Sequence, residues 1–190
     1  MLDKPISEYI LSYFRFRKAS NEIKQDEAIA LLDLGCGPTC QLFTWLQNHN
    51  YIIGKYVGID PLVQVKNTNK QVKVIKQKLN GKLPFKTSTF DYVVGLAFLE
   101  HIDNPENLLA ESFRVLKPGG KLIFTAPSKT LQPYLEFLAR VGLVSRREIA
   151  EHKQYFDRKS LLNLVPKEYQ KKAAHHYFQF GLNNMLTIIK

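Results

Sequence analysis

Residues 31–39 read Leu-Leu-Asp-Leu-Gly-Cys-Gly-Pro-Thr, and this stretch decides the fold of the chain. The apolar run that leads into it, from Ala28 to Leu32, is typical of a strand buried on both faces. Two glycines one residue apart follow, and then an apolar segment from Cys40 to Leu46 that predicts a helix. A strand, a glycine turn and a helix bring bare backbone N–H groups against a nucleotide-like ligand. The alternative is a tight strand-to-helix turn that binds no ligand.

The two glycines and a later aspartate define a candidate ligand site. A Cβ at Gly35 or Gly37 would push a ligand away or demand an unfavourable backbone angle. Asp60 ends the second predicted strand, where its carboxylate can accept hydrogen bonds from both ribose hydroxyls of an adenosine bound over the first turn. A dinucleotide site predicts the same carboxylate, but its fingerprint has a third glycine where this chain has Cys40.

The length and composition indicate one domain with a sizeable core, since the chain has 190 residues of which 45% are hydrophobic. Its two cysteines, Cys36 and Cys40, are too few for a disulfide framework or a zinc site. Residues 1–12 lack a secretory apolar core and no run reaches membrane-spanning length, so we expect a cytoplasmic protein. The net charge of +10 allows an acidic partner: nucleic acid, an anionic membrane surface or a phosphorylated substrate.

The predicted elements after the glycine turn alternate between strands and helices. Strands are predicted for residues 55–59, 72–75, 90–96 and 121–126, and a helix for residues 103–115. This order predicts an α/β fold with a Rossmann-like, doubly wound sheet. Two closing strands, at residues 173–180 and 184–190, are joined too closely for a helical crossover. We therefore expect a seven-stranded sheet that is mostly parallel, with its last strand antiparallel.

The amino-terminal region, residues 1–27, contains a predicted helix over residues 6–17. Its apolar residues recur at helical spacing, so we expect it to lie across the sheet with its aromatic side chains in the core. The basic side chains of Arg15, Arg17 and Lys18 follow that face. They indicate either a solvated helix end or a patch that binds lipid or phosphate.

A second region, residues 128–153, interrupts the alternation just after the fifth strand. It is too long for a plain connection, and we expect a lid-like insertion within a single domain spanning residues 1–190. Tyr134 would face the acceptor pocket, and Arg146 could meet an anionic group of the acceptor. The alternative is a fixed outer helix with solvated arginines.

Seven motifs occur in one order along the chain. They are Leu-Leu-Asp-Leu-Gly-Cys-Gly at 31–37, Val-Gly-Ile-Asp at 57–60, Leu-Pro-Phe at 83–85, Phe-Asp-Tyr-Val-Val at 90–94, Leu-Glu-His-Ile at 99–102, Arg-Val-Leu-Lys-Pro-Gly-Gly at 114–120 and Glu-His-Lys-Gln-Tyr-Phe at 151–156. In this order they resemble the class I S-adenosylmethionine-dependent methyltransferases, from about residue 28 to the carboxyl terminus. The first helix and the Phe-Gly-Leu-Asn ending are similar to small-molecule, type 11-like methyltransferases often associated with polysaccharide or glycolipid synthesis.

The resemblance implies a binding site for S-adenosylmethionine. Asp33 and the glycine backbone would hold the methionine part, and Asp60 would bind the ribose. The other implied residues pack beside the adenine or under the methyl donor; the full set is Asp33, Gly35, Cys36, Gly37, Asp60, Pro61, Leu79, Asn80, Leu96 and Ala97. Two positions depart from the family pattern: Thr39 replaces a common third glycine and Lys78 replaces a common acid near the adenine. Lys78 leaves adenine recognition to backbone groups or Asn80 and predicts a lower cofactor affinity.

Methyl transfer from a sulfonium requires alignment, and a hydroxyl or ammonium acceptor must also lose a proton to a base. His101 and His152 are the candidate bases, with Tyr155 close behind the second; for each histidine the alternative is a structural role. No divalent-metal cluster follows the fourth and fifth predicted strands, so we expect no metal.

These features predict a methyltransferase whose partner is a small-molecule acceptor, either a metabolite or a glycolipid or polysaccharide precursor. Thr39 and Lys78 keep open a catalytically silent S-adenosylmethionine-binding partner protein. The positive charge keeps open an RNA methyltransferase and a peripheral contact with an anionic membrane. Nucleic acid is disfavoured because the residues after the fourth strand, 96–99, lack the Asn/Asp-Pro-Pro-aromatic motif. Neither the acceptor nor the oligomeric state is encoded in these motifs.

Overall fold

A computed structural model of the chain describes residues 6–65, 69–79, 81–130, 132–133 and 154–190. The strands are β1 (Ile29–Leu34), β2 (Ile53–Ile59), β3 (Val72–Ile75), β4 (Phe90–Leu96), β5 (Leu116–Pro127), β6 (Ala173–Phe178) and β7 (Asn183–Ile189). The helices are α1 (Ile6–Ser20), α2 (Gln41–Asn48), α3 (Pro105–Val115), α4 (Arg158–Asn163) and two 3-10 helices, η1 (Leu99–His101) and η2 (Lys167–Lys172).

The seven strands form one sheet in the order β3-β2-β1-β4-β5-β7-β6. Strands β1 to β5 pair in parallel, whereas β7 is antiparallel to both of its neighbours. The predicted α/β, doubly wound sheet with an antiparallel last strand is therefore confirmed. A tight turn joins β6 to β7, and Asn183 lies opposite both Pro127 and Phe178. This turn consequently lies at the same edge of the sheet as the carboxyl ends of β1, β2, β4 and β5.

Strand β1 lies inside the sheet between β2 and β4, and its side chains are buried on both faces. Leu32 and Leu34 belong to one apolar cluster and Ile29 and Leu31 to a second on the other face. This is the pattern of a strand inside a parallel sheet with helices on both sides. From β1 the chain builds β2 and β3 on one side of the sheet and then returns to build β4 on the other side of β1. This change of direction creates a crevice at the carboxyl ends of β1, β2 and β4.

Strand β5 is longer than the predicted strand at 121–126, because residues 116–120 and Pro127 also belong to it. The pairing register shifts between Phe90 and Tyr92, so β5 crosses this region as a bulge, with Gly119 at a φ of +75°. Asp91 stabilises the irregularity: its carboxylate accepts hydrogen bonds from the backbone N–H of Ala30 and from the ammonium of Lys117, both at 2.8 Å.

Helix α1 packs against α2, and its aromatic residues do not all enter the core. Ala19 near its end is buried in the second cluster. Tyr13 and Phe14 are about half exposed, at 48% and 46%, so their assignment to the core is wrong. The lid-like segment predicted at 128–153 lies outside the described residues except for 128–130 and 132–133.

A glycine-to-alanine pair tests how closely the sheet is packed at β4. A Cβ on Gly95 would overlap the ring of Phe124, whereas a Cβ on Gly54 would meet its nearest atom at an ordinary 3.4 Å. We expect Gly95→Ala to lower the free energy of unfolding by about 1–3 kcal/mol. Gly54→Ala should change it by no more than about 0.5 kcal/mol. Urea denaturation of the two variants checks this, and equal stabilities would contradict the packing described.

Candidate active site

The glycine turn after β1 is held against the end of β2 by three backbone donors. The N–H groups of Gly35 and Cys36 donate to the carbonyl of Ile59 at 2.8 and 3.3 Å. The N–H of Gly37 donates to the Oδ2 atom of Asp60 at 3.0 Å. The turn and the acidic residue that the sequence singles out are therefore adjacent and hydrogen-bonded to each other.

The two glycines serve different purposes, although both have a left-handed φ, +73° at Gly35 and +71° at Gly37. A Cβ on Gly35 would overlap the ring of Phe98, so this glycine admits a side chain of the protein itself. A Cβ on Gly37 would have nothing within 4 Å. The expectation that a ligand uses the space beside both glycines therefore holds geometrically only for Gly37, where the backbone borders open space.

The Asp60 carboxylate is half-buried and organises the backbone on both sides of it. Its Oδ1 accepts from the N–H of Leu62 at 2.7 Å while Oδ2 accepts from Gly37. Each carboxylate oxygen has two lone pairs, so one acceptor position remains on each oxygen for a ligand's hydroxyl groups. Pro61, next in the chain, is exposed at the turn that follows β2.

Asp33, the acid within β1, is buried and bonded to a side chain. Its Oδ2 accepts from the phenol of Tyr56 at 2.7 Å. Burial raises the pKa of the Asp33 carboxyl to about 7; the hydrogen bond from Tyr56 opposes this shift, and the charge of Asp60 adds to it. Burial also raises the pKa of Tyr56 well above its usual value, so the phenol stays a donor. Asp33 is thus poised to respond to a positive charge placed near it.

The two cysteines face the interior rather than the ligand side. Both are buried, and their Sγ atoms lie 3.6 Å apart, with Cys40 in a left-handed conformation just before α2. The hydrogen bond with Cys40 and then burial raise the pKa of the Cys36 thiol, so it stays protonated at neutral pH. The resemblance places Cys36 in the cofactor site. Its side chain is buried, so only its backbone borders the glycine turn.

The end of β4 forms the other wall of the crevice. Ala97 has a φ of +49°, and its N–H donates to both the carbonyl and the hydroxyl of Thr125 at 3.0 Å. Leu96, just before it, is half-buried against the second cluster. Leu79 packs in the first cluster and is only 6% exposed, while Asn80 lies outside the described residues.

The 3-10 helix η1 places an acid and a histidine beyond β4. His101 is half-buried, whereas Glu100 is 1% exposed and its Oε2 atom has no hydrogen-bond partner within the described chain. Burial raises the pKa of Glu100 to about 7; a backbone hydrogen bond and the charge of Arg15 oppose the shift. Glu100 has no assigned role in the sequence-based site. It does belong to the Leu-Glu-His-Ile motif at residues 99–102, which is the signal in the sequence that could have found it.

A distant segment, residues 154–156, reaches η1 and brings Tyr155 beside it. The side-chain amide of Gln154 donates to the carbonyls of Leu99 at 3.3 Å and Ile102 at 3.1 Å, at the two ends of η1. The segments that carry Tyr155 and His101 are therefore neighbours, although 54 positions separate the two residues in the sequence. His152, the other predicted base, lies outside the described residues.

Asn184 of β7 holds the segment of residues 154–156 in place through a hydrogen bond. Its buried amide donates to the carbonyl of Phe156 at 3.0 Å, and its Oδ1 is paired with Nε2 of His175 at 2.8 Å. His175 is half-buried and His176 is exposed, because neighbouring residues of β6 point to opposite faces of the sheet. Gln154 lies within the motif at residues 151–156, but the motif does not show what its side chain contacts, and no motif includes Asn184.

Together these elements build a crevice suited to a nucleoside-like ligand. One wall offers open backbone at Gly37 and the remaining acceptor positions of Asp60; the other is the end of β4. These groups suit the hydroxyl groups and flat ring of a nucleoside better than a metal ion, which requires several ligands. Within the described ranges, no group of three or more His, Cys, Asp or Glu side chains could hold a metal ion.

Comparison with known proteins gives matches to methyltransferases. The sequence model of the family described as methyltransferase domain matches residues 10–170. A demethylmenaquinone methyltransferase from Tropheryma whipplei is 29% identical over 117 residues, 60% of this chain and 49% of that protein. A ubiquinone biosynthesis O-methyltransferase from Vibrio cholerae is 23% identical over 144 residues, 71% of this chain and 58% of that protein.

Solved structures share the fold. A chain from the complex between the Haloferax volcanii Trm112 methyltransferase activator and a methyltransferase superposes with a TM-score of 0.71 at 13% identity. The match covers 96% of this chain and 92% of that one. The present chain spans about half the length of the curated relatives it matches. Among the described residues, no helix is both long enough and apolar enough to cross a membrane.

The buried carboxyl of Glu100 predicts a pH-dependent stability. Its pKa rises from 4.5 to about 7 on folding, so it contributes stability below pH 4.5 that is lost as the pH rises towards 7. Glu100→Gln should remove this loss and reduce the decline between pH 5 and pH 8 by on the order of 1–3 kcal/mol. Urea denaturation across this range measures it, with the exposed Glu106→Gln as control. Identical pH profiles for wild type and Glu100→Gln would contradict the burial of this carboxyl.

Proposed function

We infer the function of this chain from one premise: it belongs to the methyltransferase domain family, whose sequence model spans residues 10–170. We propose that it binds S-adenosylmethionine in the crevice between β1, β2 and β4 and methylates a small-molecule acceptor. The observation that carries this proposal is the 3.0 Å hydrogen bond that joins the glycine turn to Asp60. It sets open backbone and a partly free carboxylate side by side at a topological switch point.

The residues present fit the cofactor. Asp60 would accept hydrogen bonds from the ribose hydroxyls with its remaining lone pairs, and the open face of Gly37 would leave room for the chain that continues from the ribose. Asp33 would respond to the cationic end of the ligand by ionising, because a nearby positive charge lowers the pKa of a carboxyl. When bound, S-adenosylmethionine supplies a methyl group already activated on a sulfonium.

The remaining assigned residues would border the rest of the ligand. Pro61 and the backbone around Leu79 and Asn80 would lie at the adenine, and Leu96 with Ala97 would lie under the donor. The two departures from the family pattern are compatible with this arrangement. Thr39 and Lys78 are both exposed, so neither side chain takes up space in the core of the crevice.

The chain's own contribution to the reaction is to orient the acceptor and to take its proton. We assign His101 as the base, with Tyr155 positioning the acceptor from the neighbouring segment that Gln154 and Asn184 hold in place. His152 remains a second proposed base. Orientation supplies much of the rate, because holding the nucleophile in line with the transferred group converts an intermolecular step into an intramolecular one.

The acceptor we propose is a small metabolite or lipid precursor that carries a hydroxyl group or an activated ring carbon. The quinone methyltransferases to which the chain is similar make a quinone-type ring the first acceptor to try. Incubation with labelled S-adenosylmethionine and fractionated cell extract tests the activity. Cofactor binding without transfer to any fraction would support the silent binding protein, and transfer to RNA would support the nucleic-acid alternative.

Replacing the ribose-binding acid tests the cofactor assignment. Asp60→Ala should weaken S-adenosylmethionine binding by about ten- to a hundredfold, because it removes charge-assisted hydrogen bonds to the ribose. Isothermal titration calorimetry measures this, with exposed Asp26→Ala as the matched control. A folded Asp60→Ala protein, verified by circular dichroism, with unchanged affinity would contradict the assignment.

Two substitutions near η1 separate chemistry from cofactor binding. His101→Gln should lower methyl transfer by about 10²–10⁴-fold with near-normal cofactor affinity, because only proton removal is lost. Tyr155→Phe should lower transfer less and raise the Michaelis constant for the acceptor. The exposed His176→Gln provides a control. Normal turnover in both variants would leave these residues with structural roles.

A further inference from the structure

One apolar surface of the molecule is unaccounted for by the proposed cofactor site. It combines one face of α1 with the turn between β6 and β7, and we call it the α1–turn surface. Its members are Ile10, Phe14, Arg17, Lys18, Phe180 and Leu182. They line an open groove of about 550 Å³, a volume within the range of ligand-sized clefts.

Three apolar side chains of this surface are exposed to solvent. Phe180 is fully exposed, at 106%, and Ile10 and Phe14 are 53% and 46% exposed. Isolated exposed apolar residues are common on soluble proteins, but a contiguous group around a groove marks an interaction site. Two successive left-handed residues, Gln179 and Phe180, shape the turn that carries this exposed ring.

The surface has a fixed shape because its two parts are bonded together. The side-chain amide of Gln179 donates to the carbonyl of Leu11 at 3.0 Å, which joins the turn to the middle of α1. The backbone N–H of Ser128, at the end of β5, donates to the carbonyl of Leu182 at 2.9 Å. The α1–turn surface therefore lies at the edge of the sheet that carries the cofactor crevice.

The charges around the groove restrict what can cover it. Arg17 and Lys18 lie in the last turn of α1 beside the apolar face, and none of the described residues that line the groove is acidic. The chain as a whole carries a net charge of +10. Exposed aromatic and aliphatic side chains flanked by cations suit the interface of an anionic membrane. A second copy would bring like charges together across a twofold interface, which disfavours a dimer here.

We propose that the α1–turn surface docks on an anionic lipid bilayer, with Phe180, Phe14 and Ile10 entering the acyl boundary and Arg17 and Lys18 facing the headgroups. This placement presents the carboxyl edge of the sheet to the membrane. The proposal does not depend on the proposed methyl transfer, and binding to vesicles tests it without cofactor or acceptor.

Vesicle co-sedimentation of the full chain tests the proposal. Wild type should bind mixed phosphatidylcholine–phosphatidylglycerol vesicles, bind phosphatidylcholine alone much more weakly, and be released by salt. Phe180→Asn should weaken binding by roughly tenfold or more, and Asn also tolerates the left-handed backbone at this position. Arg17→Gln with Lys18→Gln should weaken binding by roughly tenfold or more and remove the preference for anionic vesicles.

Matched controls lie at the opposite edge of the sheet. Ile52→Asn removes an apolar side chain just before β2 that is 50% exposed, comparable to Ile10 and Phe14, and Lys171→Gln with Lys172→Gln removes two adjacent exposed cations in η2. Both should bind vesicles as wild type does, and circular dichroism verifies the fold of every variant. Failure of wild type to bind anionic vesicles, or equal binding by Phe180→Asn, would overturn the proposal. A stable dimer in sedimentation velocity that Phe180→Asn dissolves would also overturn it, in favour of a self-association face.

Discussion

The hydrogen bond from the Gly37 N–H to the Asp60 carboxylate is the interaction on which the site depends. It joins the turn after β1 to the end of β2, and the Ile59 carbonyl supports it by accepting from Gly35 and Cys36. The bond forms only because both glycines adopt left-handed angles and Gly35 leaves space for the ring of Phe98. A side chain at either glycine would strain the turn and move the open backbone relative to the carboxylate.

The electrostatics of the carboxyl edge follow from where its acids are buried. Asp60 is partly exposed to solvent, and each of its carboxylate oxygens accepts one hydrogen bond from a backbone N–H. Asp33 on neighbouring β1 and Glu100 beyond β4 are buried, and burial raises the pKa of each to about 7. A cationic ligand in the crevice would favour the ionised form of Asp33, because a nearby positive charge lowers the pKa of a carboxyl. Arg15 reaches Glu100 from α1, which couples the first helix to this edge through charge.

The sequence predicts the features that depend on local pattern. Apolar runs locate the strands, and the glycine turn and Asp60 locate the crevice, because strand ends in a parallel sheet meet at one edge. Features that depend on distant contacts are not predictable in this way. Gln154 supports η1 and Asn184 supports residue 156 through bonds between residues far apart in sequence. The exposure of Phe14 is also unpredictable, because helical spacing locates an apolar face without showing what covers it.

The central claim is that S-adenosylmethionine occupies the crevice beside Gly37, and amide chemical shifts test it most directly. Titration of ¹⁵N-labelled protein with the cofactor should move the resonances of Gly37, Leu62 and Ala97 along one saturable binding curve. The resonance of Gly119, in the bulge at the opposite edge of the sheet, should stay in place. Saturable binding that moves Gly119 and leaves Gly37 and Leu62 unchanged would contradict the account, as would the absence of any shift at millimolar cofactor.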